Sequence, residues 1–531
     1  MAVGAGAKNA AGAADPVLTQ AVENDPVPWY KKPNLRRLYF MMFPTLIFVE
    51  VTSGFDSQLI NSAQLVPSWK VYFNNPAGAL QGIIASMYSL GAICSLPFVP
   101  LINDRLGRRW AIMIGSSIMI IGAVIQGAAN GIAMYLIARW LLGFGIPMCI
   151  VAASSLLGEL GYPKERPILT SLFNASYMIG SILAAGISFG TQQMSGNWGW
   201  RIPSLLQAAP SLVQVIFIFF IPESPRFLIS KDRHDEARAI LLKYHAEGRT
   251  EDVLVNAEMA QIEETIRLEL EASKQSWSDM IRSAGMRRRL LIGSLLGLFT
   301  QWSGNTLISY YLDKILTQVG FTDPQVKGKL NVGLNAWQLV NGVIIALIVK
   351  KFKRRTMYLV CTCSLLVVYA SWTVTQERYL STGSLAAGNL VIFWMFAYSP
   401  CYNLGYNALT YTFLVELYPF ATRSRGISLF QLFGRCAGFF NTFVNPIGME
   451  NAKWKYLLSY VCFIAFEIVC IYFLWPETSG RTLEELAFLF EDKDLAEQAA
   501  RVTEKQLHGE GSVSELKGET GTVRIEDKSA V

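Results

Sequence analysis

GELGYPKERP, Gly158 to Pro167, returns as VELYPFATRSRG, Val415 to Gly426. Each runs Glu, then Pro three or four residues on, then Arg. The first follows the fourth in a series of apolar runs, the second the tenth. Two more motifs return at the same offset. PESPR (Pro222–Arg226) closes the sixth run and PETSGR (Pro476–Arg481) the twelfth, while NDRLGRR (Asn103–Arg109) follows the second and KKFKRR (Lys350–Arg355) the eighth. Three matches six runs apart imply two halves of six helices each about a shared axis, with a site near the midplane between them.

The runs have the length of bilayer-crossing helices, about 20 residues each. They are expected near 40–62, 79–101, 111–129, 133–156, 168–190 and 203–221, then 290–312, 331–349, 356–375, 386–413, 425–447 and 456–475. The 531-residue chain is 52% hydrophobic and 16% charged, with mean hydropathy +0.32; soluble domains carry about 25% charged residues. The fold class is therefore an all-α membrane protein of twelve transmembrane helices in two pseudo-symmetric halves. The domain plan is a tail at 1–37, a first half at 38–222, an amphipathic helical linker at 223–287, a second half at 288–475 and a tail at 476–531. The first tail lacks the short apolar core and cleavage site of a signal peptide. The second ends in Gly/Ser/Glu-rich sequence that reads as disordered.

Lys/Arg bias sets the orientation. Lys31/Lys32/Arg36/Arg37, Arg105/Arg108/Arg109, Lys164/Arg166, Arg287–Arg289, Lys350–Arg355 and Arg423/Arg425 all fall on one side of twelve spans. Both termini and the linker are thereby cytoplasmic; Lys327 and Lys329 are the exception. The net charge of +6 sits in short loops between apolar runs, which does not suit nucleic acid. Leu228, Ala237, Ile240 and Leu241 give the linker one apolar face, as of short helices lying under a membrane. The eight Cys, Cys361 and Cys363 among them, lie in apolar runs and read as small core residues. His234, His245 and His508 all fall in polar segments, against a histidine zinc site or an intramembrane histidine relay. No nucleophile–base pair, metal cluster or phosphate loop is visible, so the reading is no enzyme, no metal and no cofactor.

VTSGFDSQLINSAQ, Val51 to Gln64, places Asp56 inside the first run. A carboxylate at membrane depth costs about 2.5–3.5 kcal/mol, so it is rarely there without a partner or a task. Ser57, Gln58, Asn61 and Gln64 follow it, as on a helix facing a wet cavity. Glu50, Arg435 and Glu467 also fall deep in runs; Arg435 and Glu467 lie at similar depth on sequential runs, where they could neutralise each other as structural glue.

DRLGRR, PESPRFL and PETSGRTLEEL, each at a run's end, resemble the sugar-porter branch of the major facilitator superfamily over about residues 38–492. GFDSQLIN and QWSGN more narrowly resemble fungal lactose and cellodextrin permeases. The resemblance implies three sites. Asp56 matches the family's first-span acid and Arg139, in ARWLLGFG, the arginine that pairs with it. The pair would hold the carboxylate ionised when closed and let it take a proton when open; a static ion pair joining two helices is the plain alternative. For the sugar, Gln301 matches outright. Asn174 stands at a usual glutamine with Ser181 at a second, Asn305 is displaced by one residue, and Gln338 holds an asparagine position. Tyr310 and Tyr311 match a tyrosine pair, and Asn407 to Tyr411 replace a Gly-Pro-x-x-Trp motif, with Tyr411 at the Trp. Trp302 and Trp337 read as packing or interface anchors. Amides, hydroxyls and an aromatic face suit a sugar, although each alone also fits interhelical hydrogen bonding. The departures point away from plain glucose, towards a substrate such as a disaccharide. A cytoplasmic latch would use Asp104, Arg105, Arg108, Arg109, Glu159, Arg166, Glu223, Arg226, Glu416, Arg425 and Glu477, as ion pairs made in one state and broken in the other. Lys350 and Lys353 replace an acid and a glycine in the second half, whose latch should be weaker or differently paired.

The functional expectation is a plasma-membrane proton:sugar symporter of a disaccharide or hexose working by rocking of its halves, a monomer in the lipid bilayer, with sugar and protons as partners and no nucleic acid. Proton entry down 100 mV contributes about 2.3 kcal/mol and one pH unit about 1.4 kcal/mol, enough for accumulation of roughly a few hundred-fold. The rivals are an uncoupled facilitator, a transporter of a glycoside or secondary metabolite, and a nutrient sensor built on the transporter fold.

Overall fold

A computed structural model describes residues 27–273, 279–348, 352–418, 420–478 and 490. Twelve helical spans run through the described residues. The first half has Pro33–Leu65, Gly78–Ser95 continued by Phe98–Leu106, Arg108–Gly127, Ile132–Leu160, Arg166–Thr191 and Trp198–Phe220. The second has Ala284–Trp302 continued by Asn305–Gln318, then Pro324–Ile348, Arg354–Thr382, Leu385–Leu417, Phe420–Ala452 and Lys455–Leu474. Most spans outrun the apolar stretches expected for them, because a helix continues past the hydrocarbon wherever its polar end residues stay solvated. Nine are long and apolar enough to cross a membrane on those grounds alone; the seventh, eighth and eleventh are not among them.

Local chemistry sets several boundaries. Ser283 caps the seventh span by accepting from the Met286 N–H at 3.0 Å, and Asp323 accepts from Gln325 N ahead of Pro324 in the eighth, both satisfying orphan donors of a first turn. The seventh span, expected as one run, is two pieces. Gly304 has φ +93, a left-handed conformation that side chains disfavour, and it separates Trp302 from Asn305. Tyr311 adds a second departure at φ −133, ψ 29.

The third and fourth spans pack together, as do the first and fifth and the second and fourth; the seventh packs on the eleventh and the ninth on the tenth and twelfth. The halves meet where the second span lies on the eleventh and the fifth on the eighth. Small residues permit the closest approaches, as is usual between membrane helices: a Cβ on Gly54 would collide with the Tyr177 carbonyl oxygen of the fifth span. One apolar cluster fills the first half, while another runs from the second half across to Ile60, Val66, Trp69, Phe73 and Trp200. The two halves thus share a core at one end of the bundle.

The linker forms helices Pro225–Ile229, His234–Tyr244, Val253–Ser273 and Asp279–Arg282. Leu228, Ala237 and Ile240 share a cluster with Met259 and Ile262, whereas Leu241 turns to Ala246 and Val255. The expected single face is therefore split between two small cores, because the 21-residue helix Val253–Ser273 lies against both. Glu247 accepts from the Asn34 and Leu35 N–H groups at 3.0 Å each, capping the first span. Residues 1–26 and almost all of the second tail lie outside the described residues.

Candidate functional site

The halves are bridged by polar side chains at the end where they share a core. Gln58 Nε2 donates to Asn331 Oδ1 at 2.7 Å, Asn61 Nδ2 to the same oxygen at 3.3 Å, and Asn331 Nδ2 to Ser62 at 3.1 Å. Lys70 meets Asp313 at 2.5 Å and Lys327 meets the other Asp313 oxygen at 2.7 Å. Lys327 and Asp313 are both buried, which accounts for the lysine that broke the charge bias. Gln58 and Asn61 therefore face the other half, and Gln64 accepts from Gln81 of the second span; none of the three lines a wet cavity, because each finds a polar partner on a neighbouring helix.

Away from this shared end, several of the polar side chains expected at the solute site are exposed or half-buried. Tyr411 is 57% exposed and takes a hydrogen bond from Gln431 at 3.2 Å. Asn174 and Asn407 are exposed, and Gln301, Asn305, Gln338 and Tyr310 are half-buried. Asn407 donates to Asn403, which donates to Asn341. Asn305 accepts from Ser309. Tyr311 is fully buried, with its hydroxyl on the Thr442 carbonyl. Ser181 bonds the Gly54 carbonyl at 3.2 Å and serves packing between the first and fifth spans. Trp302 and Trp337 donate to the Ala437 and Phe396 carbonyls.

Asp56 and Arg139 are each fully buried and adjacent. The expected carboxylate–guanidinium bond is not made. Arg139 Nη1 instead donates to the main-chain oxygen of Asp56 at 3.3 Å, the guanidinium lies over the Tyr88 ring at 5.1 Å, and neither Asp56 carboxyl oxygen has a hydrogen-bond partner. Arg139 remains the charge acting on that carboxyl. The pair is side by side and open: Nε and Nη2 of Arg139, like both carboxyl oxygens of Asp56, have no hydrogen-bond partner.

The charges at the other end pair within each half. Glu223 accepts from the Arg108 and Arg109 N–H groups at 3.2 and 3.3 Å, and Arg108 meets Glu159 at 3.2 Å. Glu477 accepts from the Arg354 and Arg355 N–H groups at 2.9 and 3.2 Å, and Arg354 meets Glu416 at 3.3 Å. The second half thus repeats the first nearly distance for distance, where a weaker or different pairing was expected. The substituted Lys350 lies outside the described residues, and the working groups are Arg354 and Arg355, which the paired arginines of NDRLGRR and KKFKRR already signalled. Arg166 Nε bonds the Gly161 carbonyl five residues back, and Arg423 Nε the Tyr418 carbonyl five back, so Arg423 rather than Arg425 is the counterpart of Arg166; the common spacing of seven from Glu159 and Glu416 shows this in the sequence. Arg166 also meets Glu258 of the linker at 2.9 Å. Asp104 and Arg105 are exposed, and Arg226 is half-buried beside Glu223 in sequence.

Arg435 and Glu467 do not neutralise each other. Glu467 is fully buried and is held by Ser303 at 2.9 Å and Tyr406 at 2.8 Å. Sequential position could not foresee that Glu467 turns to these hydroxyls, because it fixes depth but not the direction a helix face turns.

Residues 42–490 match the family described as Sugar (and other) transporter. The chain belongs to that family. The transporter is 26% identical to the high-affinity glucose transporter of Kluyveromyces lactis over 493 residues, 87% of either chain. It is 26% identical to the MFS-type transporter criB of Aspergillus cristatus over 447 residues, 83% of this chain and 90% of that one. An inward-open structure of the xylose transporter XylE from E. coli superposes with TM-score 0.71 at 20% identity, covering 86% of this chain and all of that one. The fold is that of the major facilitator superfamily, which implies twelve spans, and the chain is a multi-pass sugar transporter of that superfamily, not an enzyme.

Proposed function

We propose that the transporter carries a sugar or sugar-bearing solute together with protons, by alternating exposure of one site between its halves. The observation that carries this reading is the fully buried Asp56 beside Arg139, with both carboxyl oxygens unbonded. A carboxyl at membrane depth with a cation adjacent but not bonded can exchange a proton at little structural cost, whereas a static glue pair would close the bond. The solute would meet Gln301, Asn305, Tyr310, Gln338, Asn407, Tyr411 and Asn174, which offer amides and aromatic rings that are exposed or half-buried. Arg108, Arg109, Glu159, Arg166, Glu223, Arg226, Glu416, Arg423 and Glu477, with Asp104 and Arg105, would latch the basic end, which faces the cytoplasm by the positive-inside bias. The plasma membrane is the proposed location and a monomer the working unit. Among relatives one is named a glucose transporter, and the structural neighbour is described as a proton:xylose symporter. Polar side chains of altered length and shape at the sugar positions favour, as a second reading, a disaccharide, glycoside or other glycosylated metabolite.

The test is uptake of radiolabelled lactose, cellobiose, glucose and xylose in transporter-null cells, at two pH values, with and without a protonophore. Accumulation above the outside concentration that collapses with the protonophore is expected. Uptake that only equilibrates, unchanged by protonophore and pH, makes the protein a facilitator; uptake of none of the four moves the substrate to the glycosides.

A further inference from the structure

The mechanism above leaves one buried acid without a task. Glu467 sits in the middle of the twelfth span, fully buried, and no Lys, Arg or His acts on it among the described residues. An uncompensated charge there would be costly. Its neighbours are neutral. Ser303 Oγ lies 2.9 Å from both carboxyl oxygens, and Tyr406 donates to Oε2 at 2.8 Å. The same Ser303 hydroxyl also bonds the Phe299 carbonyl.

Proton counting separates the two ionisation states. A serine hydroxyl has one proton and two lone pairs, and a protonated carboxyl has one donor. If Glu467 is ionised, Ser303 must divide one proton between the carboxylate and Phe299. If Glu467 is protonated, it donates to Ser303, Ser303 donates to Phe299, and Tyr406 donates to the remaining carboxyl oxygen. Every polar atom is then served and no charge is buried.

The position matters because both partners stand at helix discontinuities. Ser303 immediately precedes Gly304, where the seventh span breaks between Gln301 and Asn305. Tyr406 lies in the Asn403–Asn407 π-turn of the tenth span, next to Asn407. Carbonyls freed at the break are taken up by tyrosines of the ninth and tenth spans: Tyr402 on Thr300 at 2.7 Å, Tyr398 on Ser303 at 3.4 Å and Tyr369 on Gly304 at 3.0 Å. We infer that Glu467 is kept as a neutral carboxylic acid and acts as a positioning residue, tying the broken seventh span to the π-turn of the tenth so that the solute-facing amides on both are held in register. This deepens the proposed function and rests on those amides meeting the solute.

Two measurements test it. In infrared difference spectra of the purified full-length transporter, wild type minus Glu467→Gln, a protonated-carboxyl C=O band is expected that persists from acidic to mildly alkaline pH; absence of that band, or its loss with rising pH, overturns the neutral acid. This arm is independent of any substrate. In uptake assays, Glu467→Gln keeps a neutral donor and should retain KM and uphill accumulation. Glu467→Ala, Ser303→Ala and Tyr406→Phe should raise KM by roughly 3- to 15-fold, the range of a buried interhelical hydrogen bond, with the dependence of uptake on pH unchanged. A Glu467→Gln variant that exchanges solute but no longer accumulates it would make Glu467 a proton carrier and overturn the inference. So would an unchanged KM in all three deletion variants. Asp56→Asn in the same cells reports separately on the coupling reading.

Discussion

Asp56 and Glu467 are both buried acids, and their surroundings assign them different work. Asp56 has an adjacent cation whose one hydrogen bond goes to main chain, and no bond to its own oxygens; Glu467 has two neutral partners and, among the described residues, no ion-pair partner. Replacing Asp56 by Asn should abolish uphill accumulation while leaving solute exchange, measured as counterflow in preloaded cells; accumulation at the wild-type level would remove the coupling. A third acid acts outside the membrane. Burial alone would raise the Glu258 carboxyl, but His245 at 2.5 Å and Arg166 at 2.9 Å outweigh it and hold it below its ordinary value. A depressed acid stabilises the fold above its unfolded value, about 4.3 for Glu, and that contribution is lost as pH falls through the lower folded value. Thermal stability of the solubilised protein should therefore drop on acidification below that point, and Glu258→Gln should be less stable at neutral pH with a shallower acid decline. Equal stability of the two proteins across the range would show that the linker is not held by this contact. Asp56 was legible from its place in an apolar run; its open pairing was not, since side-chain direction depends on what else the guanidinium touches.

Among the elements, the seventh span shows where patterning stops. Its apolar run looks continuous, yet Gly304 at φ +93 divides it. A Cβ at Gly304 would collide with the Tyr369 hydroxyl and force a left-handed L-residue, costing about 1–2 kcal/mol from the backbone alone. Gly304→Ala should lower the melting temperature and slow uptake; a variant with wild-type melting and uptake would mean that the break bends without penalty. The first span shows the converse case. Gly54→Val should separate the first and fifth spans, seen as loss of correctly inserted protein on a fluorescence-detected size-exclusion profile, because its side chain would meet main chain rather than a yielding rotamer. A glycine in an apolar run signals close approach, but the partner helix can only be read in three dimensions.

Across the whole molecule, the two ends are built differently. The basic end repeats one constellation in each half, Glu223–Arg108–Glu159 and Glu477–Arg354–Glu416. The other end is closed between halves by Lys70–Asp313–Lys327 and by Gln58 and Asn61 on Asn331. Asp313→Asn leaves Lys327 buried without its counter-charge and should shift the population towards opening at this end. The readout is labelling of a cysteine introduced at Ser62 by an impermeant thiol reagent, in a background without the exposed Cys94, Cys363, Cys436 and Cys462. Faster labelling than in the Asp313 parent is expected; an equal rate would show that apolar packing of Ile60, Trp69 and Trp200, not charge, keeps the end shut.

Chain patterning alone carried the twelve spans, the doubled architecture, the family and the depth of each buried charge, because hydropathy, spacing and loop charge are local or periodic properties. Tertiary packing decided which charged groups meet: Glu467 with Ser303 and Tyr406 rather than Arg435, and Asp313 with Lys70 across the gap as well as with Lys327 in its own half. Depth along a helix is fixed by residue count, but the compass direction of a side chain is set only when neighbouring helices lock its rotation.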